Sequence, residues 1–163
     1  MGVTQQKQRR TKKLLDEKLS LSQPSRDLLE QLAVTCASKP SPDNTFQYAF
    51  ALSKSNDENE LKYAVDILDG LVHEGYEHQM DCMVGSATAL YLLGDYTRAR
   101  SRCEAILRSR PDSRNTKELH LACIEGEEER KEQLLKKGVI ESTIGMAAIG
   151  VAIGVAGMLL KKK

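Results

Sequence analysis

Apolar positions along this chain recur three and four residues apart, and strand-like alternation persists nowhere, so the pattern predicts helices throughout the body of the sequence. The first clear helix covers about 24–37, with Pro24 suited to its opening turn after Ser22 or Gln23. Its apolar stripe is Leu28, Leu29, Leu32, Ala33 and Cys36. Pro40, Ser41 and Pro42 break it, and Asp43 or Asn44 can cap a second helix over about 45–54, which presents Phe46, Tyr48, Ala49 and Leu52. Asp57 followed by Glu60 has the spacing of a capping box. It opens a third helix with a stripe of Leu61, Ala64, Val65, Leu68, Leu71 and Val72, which Gly75 can stop. A fourth helix, about 78–93, carries Met80, Met83, Ala87, Leu90 and Tyr91. Gly94 and Asp95 then supply a tight turn and a cap for a fifth, with Tyr96, Ala99, Cys103, Ile106 and Leu107, ended by Pro111. A sixth helix starts near Ser113; Leu119, Ala122 and Cys123 give it an apolar first part, and the acidic run 125–132 reads as a solvated face.

The last apolar stretch is of another kind. Residues 144–160 read IGMAAIGVAIGVAGMLL without a charged side chain. With 139–143 this makes a candidate helix over 139–160, about 33 Å long at the usual rise, matching a hydrocarbon core of roughly 30 Å. Lys136 and Lys137 flank one end; Lys161, Lys162 and Lys163, a basic tail, flank the other. A buried core helix would keep a polar stripe and lead into more protein, so the run from Ile144 to Leu160 is expected to be a transmembrane anchor. Such an anchor inserts after translation and leaves the preceding domain in the cytosol. Gly150 and Gly154 form a GxxxG, which can serve as the contact face of a homo-oligomer or simply moderate hydrophobicity.

Two of the helix pairs repeat. Tyr63, Ala64, Leu68 and Leu71 recur as Arg98, Ala99, Cys103 and Ile106, close to the roughly 34-residue period of tetratricopeptide repeats. The repeats fall at about 45–78 and 80–113, with Tyr48, Ala64, Ala87, Gly94, Tyr96, Ala99 and Pro111 at packing or terminating positions. Because about three repeats are normally needed for a stable stack, the first and sixth helices are expected to cap two. The expectation is an all-α chain: a six-helix bundle over 23–136 built on two tetratricopeptide-like pairs, plus a C-terminal transmembrane helix.

Charge changes the picture at one end. The 163-residue chain has a net charge of +1, too small an excess for a general nucleic-acid binder. Lys7, Arg9, Arg10, Lys12 and Lys13 nevertheless crowd the N-terminus. Asp16 and Glu17 weaken a matrix-targeting reading, and residues 1–22 are expected to be a basic flexible arm. Cys36, Cys82, Cys103 and Cys123 each sit within an apolar helical pattern without a CxxC pair, as reduced core thiols do. His78 with Cys82, and His120 with Cys123, lie about one turn apart but are too few for a metal site. No GxxxxGK, HExxH or GxSxG motif occurs, so no catalytic residue and no cofactor are expected.

Segments 45–57 (TFQYAFALSKSND), 63–75 (YAVDILDGLVHEG) and 91–113 (YLLGDYTRARSRCEAILRSRPDS), together with the junction from Lys136 into the Gly-rich run, resemble the mitochondrial fission protein 1 family. The FxYA element at Phe46–Ala49 and the order of parts carry the resemblance most specifically. It implies a non-enzymatic adaptor on the mitochondrial outer membrane and on peroxisomes, recruiting a dynamin-related GTPase or its adaptor into a concave groove. It also implies an N-terminal arm that can lie across or near that groove. Carried over residue by residue, the groove positions are Ala49, Leu52 and Ser53 from the first inner helix and Val84, Thr88 and Tyr91 from the second. The chain departs from the family in Leu90, where Asn is common, and in its longer, basic N-terminal stretch. A tail-anchored co-chaperone or import receptor is the alternative, but its clamp for a terminal carboxylate would need several groove Lys, Arg and Asn side chains. A homo-oligomeric scaffold resting on Gly150 and Gly154 is a third.

Overall fold

A computed structural model of the chain describes residues 2–144, with side chains to residue 138. Of the expected span over 139–160, the part beyond Ile144, with Gly150, Gly154 and Leu160, lies outside the described residues, as does the tail Lys161, Lys162 and Lys163; Ile144 closes the backbone of the last described helix. Among the described residues no helix is long and apolar enough to cross a membrane. They form seven helices and no strand: α1 (Val3–Leu21), α2 (Arg26–Ser38), α3 (Pro42–Leu52), α4 (Glu58–His73), α5 (Gln79–Leu92), α6 (Tyr96–Ser109) and α7 (Arg114–Ile144).

Local chemistry sets the boundaries, sometimes a few residues from where the sequence pattern puts them. Ser25, not Ser22 or Gln23, caps α2, its Oγ accepting from the Leu28 N–H at 3.1 Å. Ser41, not Asp43 or Asn44, caps α3, with Pro42 at the first helical position, where its missing N–H costs nothing. Asp57 caps α4 as expected, accepting from Asn59 and Glu60. Glu60 completes the box indirectly, accepting from the Ser55 hydroxyl that in turn receives the Asp57 N–H. Gly75 and Gly94 end α4 and α5 at φ +78° and +75°, a left-handed conformation that favours glycine. In both, the following N–H bonds back to a carbonyl five residues earlier: Tyr76 to Leu71 and Asp95 to Leu90, each under 3.1 Å.

Consecutive helices from α2 to α6 pack side by side, and the inner helices α3 and α5 also touch. Small residues allow this. Ala64 and Ala99 are fully buried, and a Cβ on Gly85 would lie 2.9 Å from Leu68 Cδ1 and 3.0 Å from Phe50 Cδ2. Because α5 is central, it is buried on nearly every side, from Cys82 through Gly85 to Tyr91. Across α4, α5 and α6, Asp69 accepts from both terminal guanidinium nitrogens of Arg102, Nη1 and Nη2, and from the Ser86 hydroxyl. Three cysteines are in the core and Cys36 is half-buried. Burial, then Asp81, pushes the Cys82 thiol up to about 11, and a hydrogen bond with Cys103, then burial, pushes Cys123 higher.

Four expectations change. The N-terminal arm, expected to be flexible, is the 19-residue helix α1, which buries Leu15 and Leu19 in the main core, so the described helices number seven rather than six. Leu28, placed on the apolar stripe of α2, is 43% exposed while Leu29 is buried. Glu125, read as part of a solvated face, is 1% exposed and takes Arg9 of α1 as its partner. Pro111, grouped with the packing residues, is exposed and serves only to follow the end of α6. Through Glu127 the helices form one compact unit; α7 from Glu128 onward belongs to a second, where Leu134 and Leu135 are exposed.

Candidate functional site

The concave side of the stack begins with the residues of α3 and α5 that turn away from α4 and α6. Phe50 and Lys54, with Ser53 at the end of α3, form one wall, and Val84, Gly85 and Thr88 of α5 form the floor. Asn115, Glu118 and Leu119 of α7 close the far side. Leu15, Lys18 and Leu19 of α1, with Ser22, lie over the near side, leaving a cavity of about 160 Å³ among these residues. Its lining is apolar in Leu15, Leu19, Phe50, Val84 and Leu119. Two of its hydroxyls are spent locally: Ser53 donates to the Phe50 carbonyl at 2.6 Å and Thr88 to the Val84 carbonyl at 2.9 Å. Lys54 places its ammonium 5.1 Å from the Phe50 ring centroid. The groove therefore offers an aliphatic and aromatic lining with Lys18, Lys54, Asn115 and Glu118 at its edges, a surface suited to an amphipathic segment.

Of the six positions assigned to the groove from sequence, the structure brings Ser53, Val84 and Thr88 together in its lining. Ala49 instead packs with Leu68, Leu71 and Cys82, and Leu52 with Leu29 and Ala64; both belong to the core beneath the groove. Tyr91 is 3% exposed and stacks edge-on to Tyr96, ring centroids 5.4 Å apart. The groove face of α3 is thus rotated about one residue from the one expected, onto Phe50, Ser53 and Lys54. Gly85 was missed as well. Its signal was present, a glycine inside an otherwise good helix, where a close approach of neighbours is the usual reason.

Three kinds of contact hold α1 over the groove. Leu15 and Leu19 join the cluster of Ala87, Leu90, Tyr91, Leu119 and Cys123. The Tyr91 hydroxyl donates to Asp16 Oδ1 at 2.5 Å, and burial followed by this bond pushes the phenol far above its ordinary range. Arg9 Nε donates to Glu125 Oε1 at 3.0 Å. The other oxygen, Glu125 Oε2, is buried with no hydrogen-bond partner, which costs about 1–3 kcal/mol and offsets part of what the ion pair contributes. The two buried leucines contribute about 3–6 kcal/mol at most to this docking.

No protein-family profile matches the chain. Among curated proteins, the mitochondrial fission 1 protein of Debaryomyces hansenii is 26% identical to it over 144 residues, covering 88% of this chain and 90% of that relative. The chain is similar in fold to the fission protein Fis1 from Saccharomyces cerevisiae, with a TM-score of 0.64 at 20% identity, over 72% of this chain and 95% of that one. It is also similar to yeast Fis1 solved in complex with an Mdv1 fragment containing N-terminal extension and coiled coil domains, with a TM-score of 0.59 at 22% identity, over 68% and 88% of the two chains.

Proposed function

Starting from a chain similar to the mitochondrial fission 1 proteins in sequence and in fold, we propose that it is a mitochondrial fission adaptor, a non-enzymatic receptor whose groove docks a segment of a fission factor. The observation that carries this is the cavity between α1 and the inner helices: apolar at its floor, polar at its edges, and covered on one side by a helix that buries Leu15 and Leu19. Such a groove accepts an amphipathic helix or an extended segment. The partner is a dynamin-related GTPase or the adaptor that brings it; the relative described in complex with an Mdv1 fragment supports the adaptor. Any energy-consuming step belongs to that partner.

The apolar run over 144–160 supplies location, as a single span in the outer mitochondrial membrane, and in peroxisomes as well, with the repeats facing the cytosol. Confinement to a surface raises the effective concentration of a recruited GTPase without any new contact. Gly150 and Gly154 offer a face for self-association in that membrane. A carboxylate clamp of the co-chaperone kind fits less well, because Lys18 and Lys54 are the only cations in the described groove lining and Lys18 comes from α1.

The test uses the full-length protein in cells whose own fission adaptor is removed. Val84→Arg puts a charge in the groove floor at a half-buried position, and is expected to reduce recruitment of the dynamin-related GTPase to mitochondria at least about thirtyfold. Undiminished recruitment by a Val84→Arg protein with normal helical content and localisation removes the groove from the account. Deleting residues 139–163 separates the two halves of the proposal: the truncated protein should wash off membranes in high salt, which the full chain resists, while keeping its partner in solution.

A further inference from the structure

The helix α1 has two faces, and only one of them is used by the groove. Leu15 and Leu19 point into the core, Arg9 pairs with Glu125, and Lys12 with Asp16. On the opposite side, Val3, Lys7, Arg10, Leu14 and Leu21 run as one line along the helix, with Lys18 at its border with the groove. All six are exposed, the apolar ones strongly so: Val3 is 85%, Leu14 54% and Leu21 89% exposed. Lys13 lies beside this line, and Glu17 is the one carboxylate on the same side. Across α1 there are six cationic and two acidic side chains, so this one helix carries a net +4 in a chain whose total is +1.

We infer that the outward face of α1 is a docking surface for an anionic lipid bilayer. Charge complementarity selects an anionic partner, and the aliphatic residues in line with the cations select which kind. A nucleic-acid backbone gives Val3, Leu14 and Leu21 nothing to enter. A bilayer interface takes aliphatic side chains into the boundary between headgroups and acyl chains while lipid phosphates meet Lys7, Arg10 and Lys13. The helix, about 28 Å long, lies flat on such a surface and keeps Leu15 and Leu19 in the core at the same time. Lipid docking and groove coverage therefore use opposite faces and do not compete.

The experiment uses the full chain in phosphatidylcholine vesicles, mixed with dye-labelled vesicles of phosphatidylcholine alone or with phosphatidylserine. The protein is expected to capture the anionic vesicles at least about tenfold better than the neutral ones, the excess falling as salt is raised. Lys7→Glu with Arg10→Glu and Lys13→Glu should abolish the excess, and equal capture of both vesicle types, or a triple variant that still captures, overturns the proposal. Leu14→Ser with Leu21→Ser keeps every charge and should lower capture severalfold. Unchanged capture by this pair overturns a lipid surface in favour of a generic polyanion such as RNA. All five positions are exposed, and a circular-dichroism melt matching the parent excludes loss of fold. Should the chain fail to float with phosphatidylcholine vesicles, the anchor reading fails by itself, and flotation with anionic vesicles then reports the α1 face directly.

Discussion

Gly126 and Tyr96 illustrate how single residues set the packing of the last described turns of the compact unit. A Cβ on Gly126 would lie 2.7 Å from three carbons of the Tyr96 ring, which itself stacks on Tyr91. Helix propensity favours Ala over Gly, yet here the ring blocks it. Gly126→Ala is expected to destabilise the fold by about 1–3 kcal/mol in denaturant unfolding, whereas Gly70→Ala, in α4 with nothing within 4 Å of the new Cβ, should stabilise it by about 0.5–1 kcal/mol. The reverse order of the two midpoints would contradict the packing described. The same scale explains which groove residues were legible. Val84 and Thr88 could be placed because α5 is framed by two strong turn signals. Ala49 and Leu52 could not, because α3 is apolar on more than one side and periodicity alone does not say which side meets α4.

Among the elements, α1 departs furthest from its sequence. A basic stretch with few apolar residues reads as an arm, since an isolated helix of this composition is marginal in water. What makes it a helix is a surface waiting for it: Leu15 and Leu19 meet Tyr91, Leu119 and Cys123, and Asp16 and Arg9 find Tyr91 and Glu125. Those partners lie more than seventy residues away and leave no mark in local pattern. Leu19→Asp removes one of the two buried leucines and sets a carboxylate among apolar groups, a loss of several kcal/mol if the helix stayed docked. Amide hydrogen exchange should then show α1 unprotected while α4 and α5 keep their protection. Uniform loss of protection would mean that α1 is integral to the fold.

For the whole molecule, cohesion comes from successive pairing of helices, with polar ties where the pairs meet. Asp69 with Arg102 and Ser86 ties α4, α5 and α6; Glu104 with His120, and Arg100 with Glu127, tie α6 to α7. The hydrogen bond from His120, then the one from Arg100, holds the Glu104 carboxyl below its ordinary range. A carboxyl lowered in the folded state contributes stability above its unfolded pKa, about 4.3, and loses it as pH falls through the folded value. Glu104→Gln should therefore lower the melting temperature at neutral pH and converge on the parent's below about pH 4, which flattens the acid fall. An acid limb identical to the parent's would show that this tie carries none of it. By itself the sequence determined the helical class, the two repeats and their glycine stops, because periodicity and turn chemistry are local properties. Only the tertiary structure decided that residues 3–21 form a docked helix rather than a flexible arm, that Glu125 is buried, and that Phe50 rather than Ala49 faces the cavity. Each of those depends on which surface a residue meets after the chain has returned on itself, and that is set by packing between distant elements rather than by neighbours in sequence.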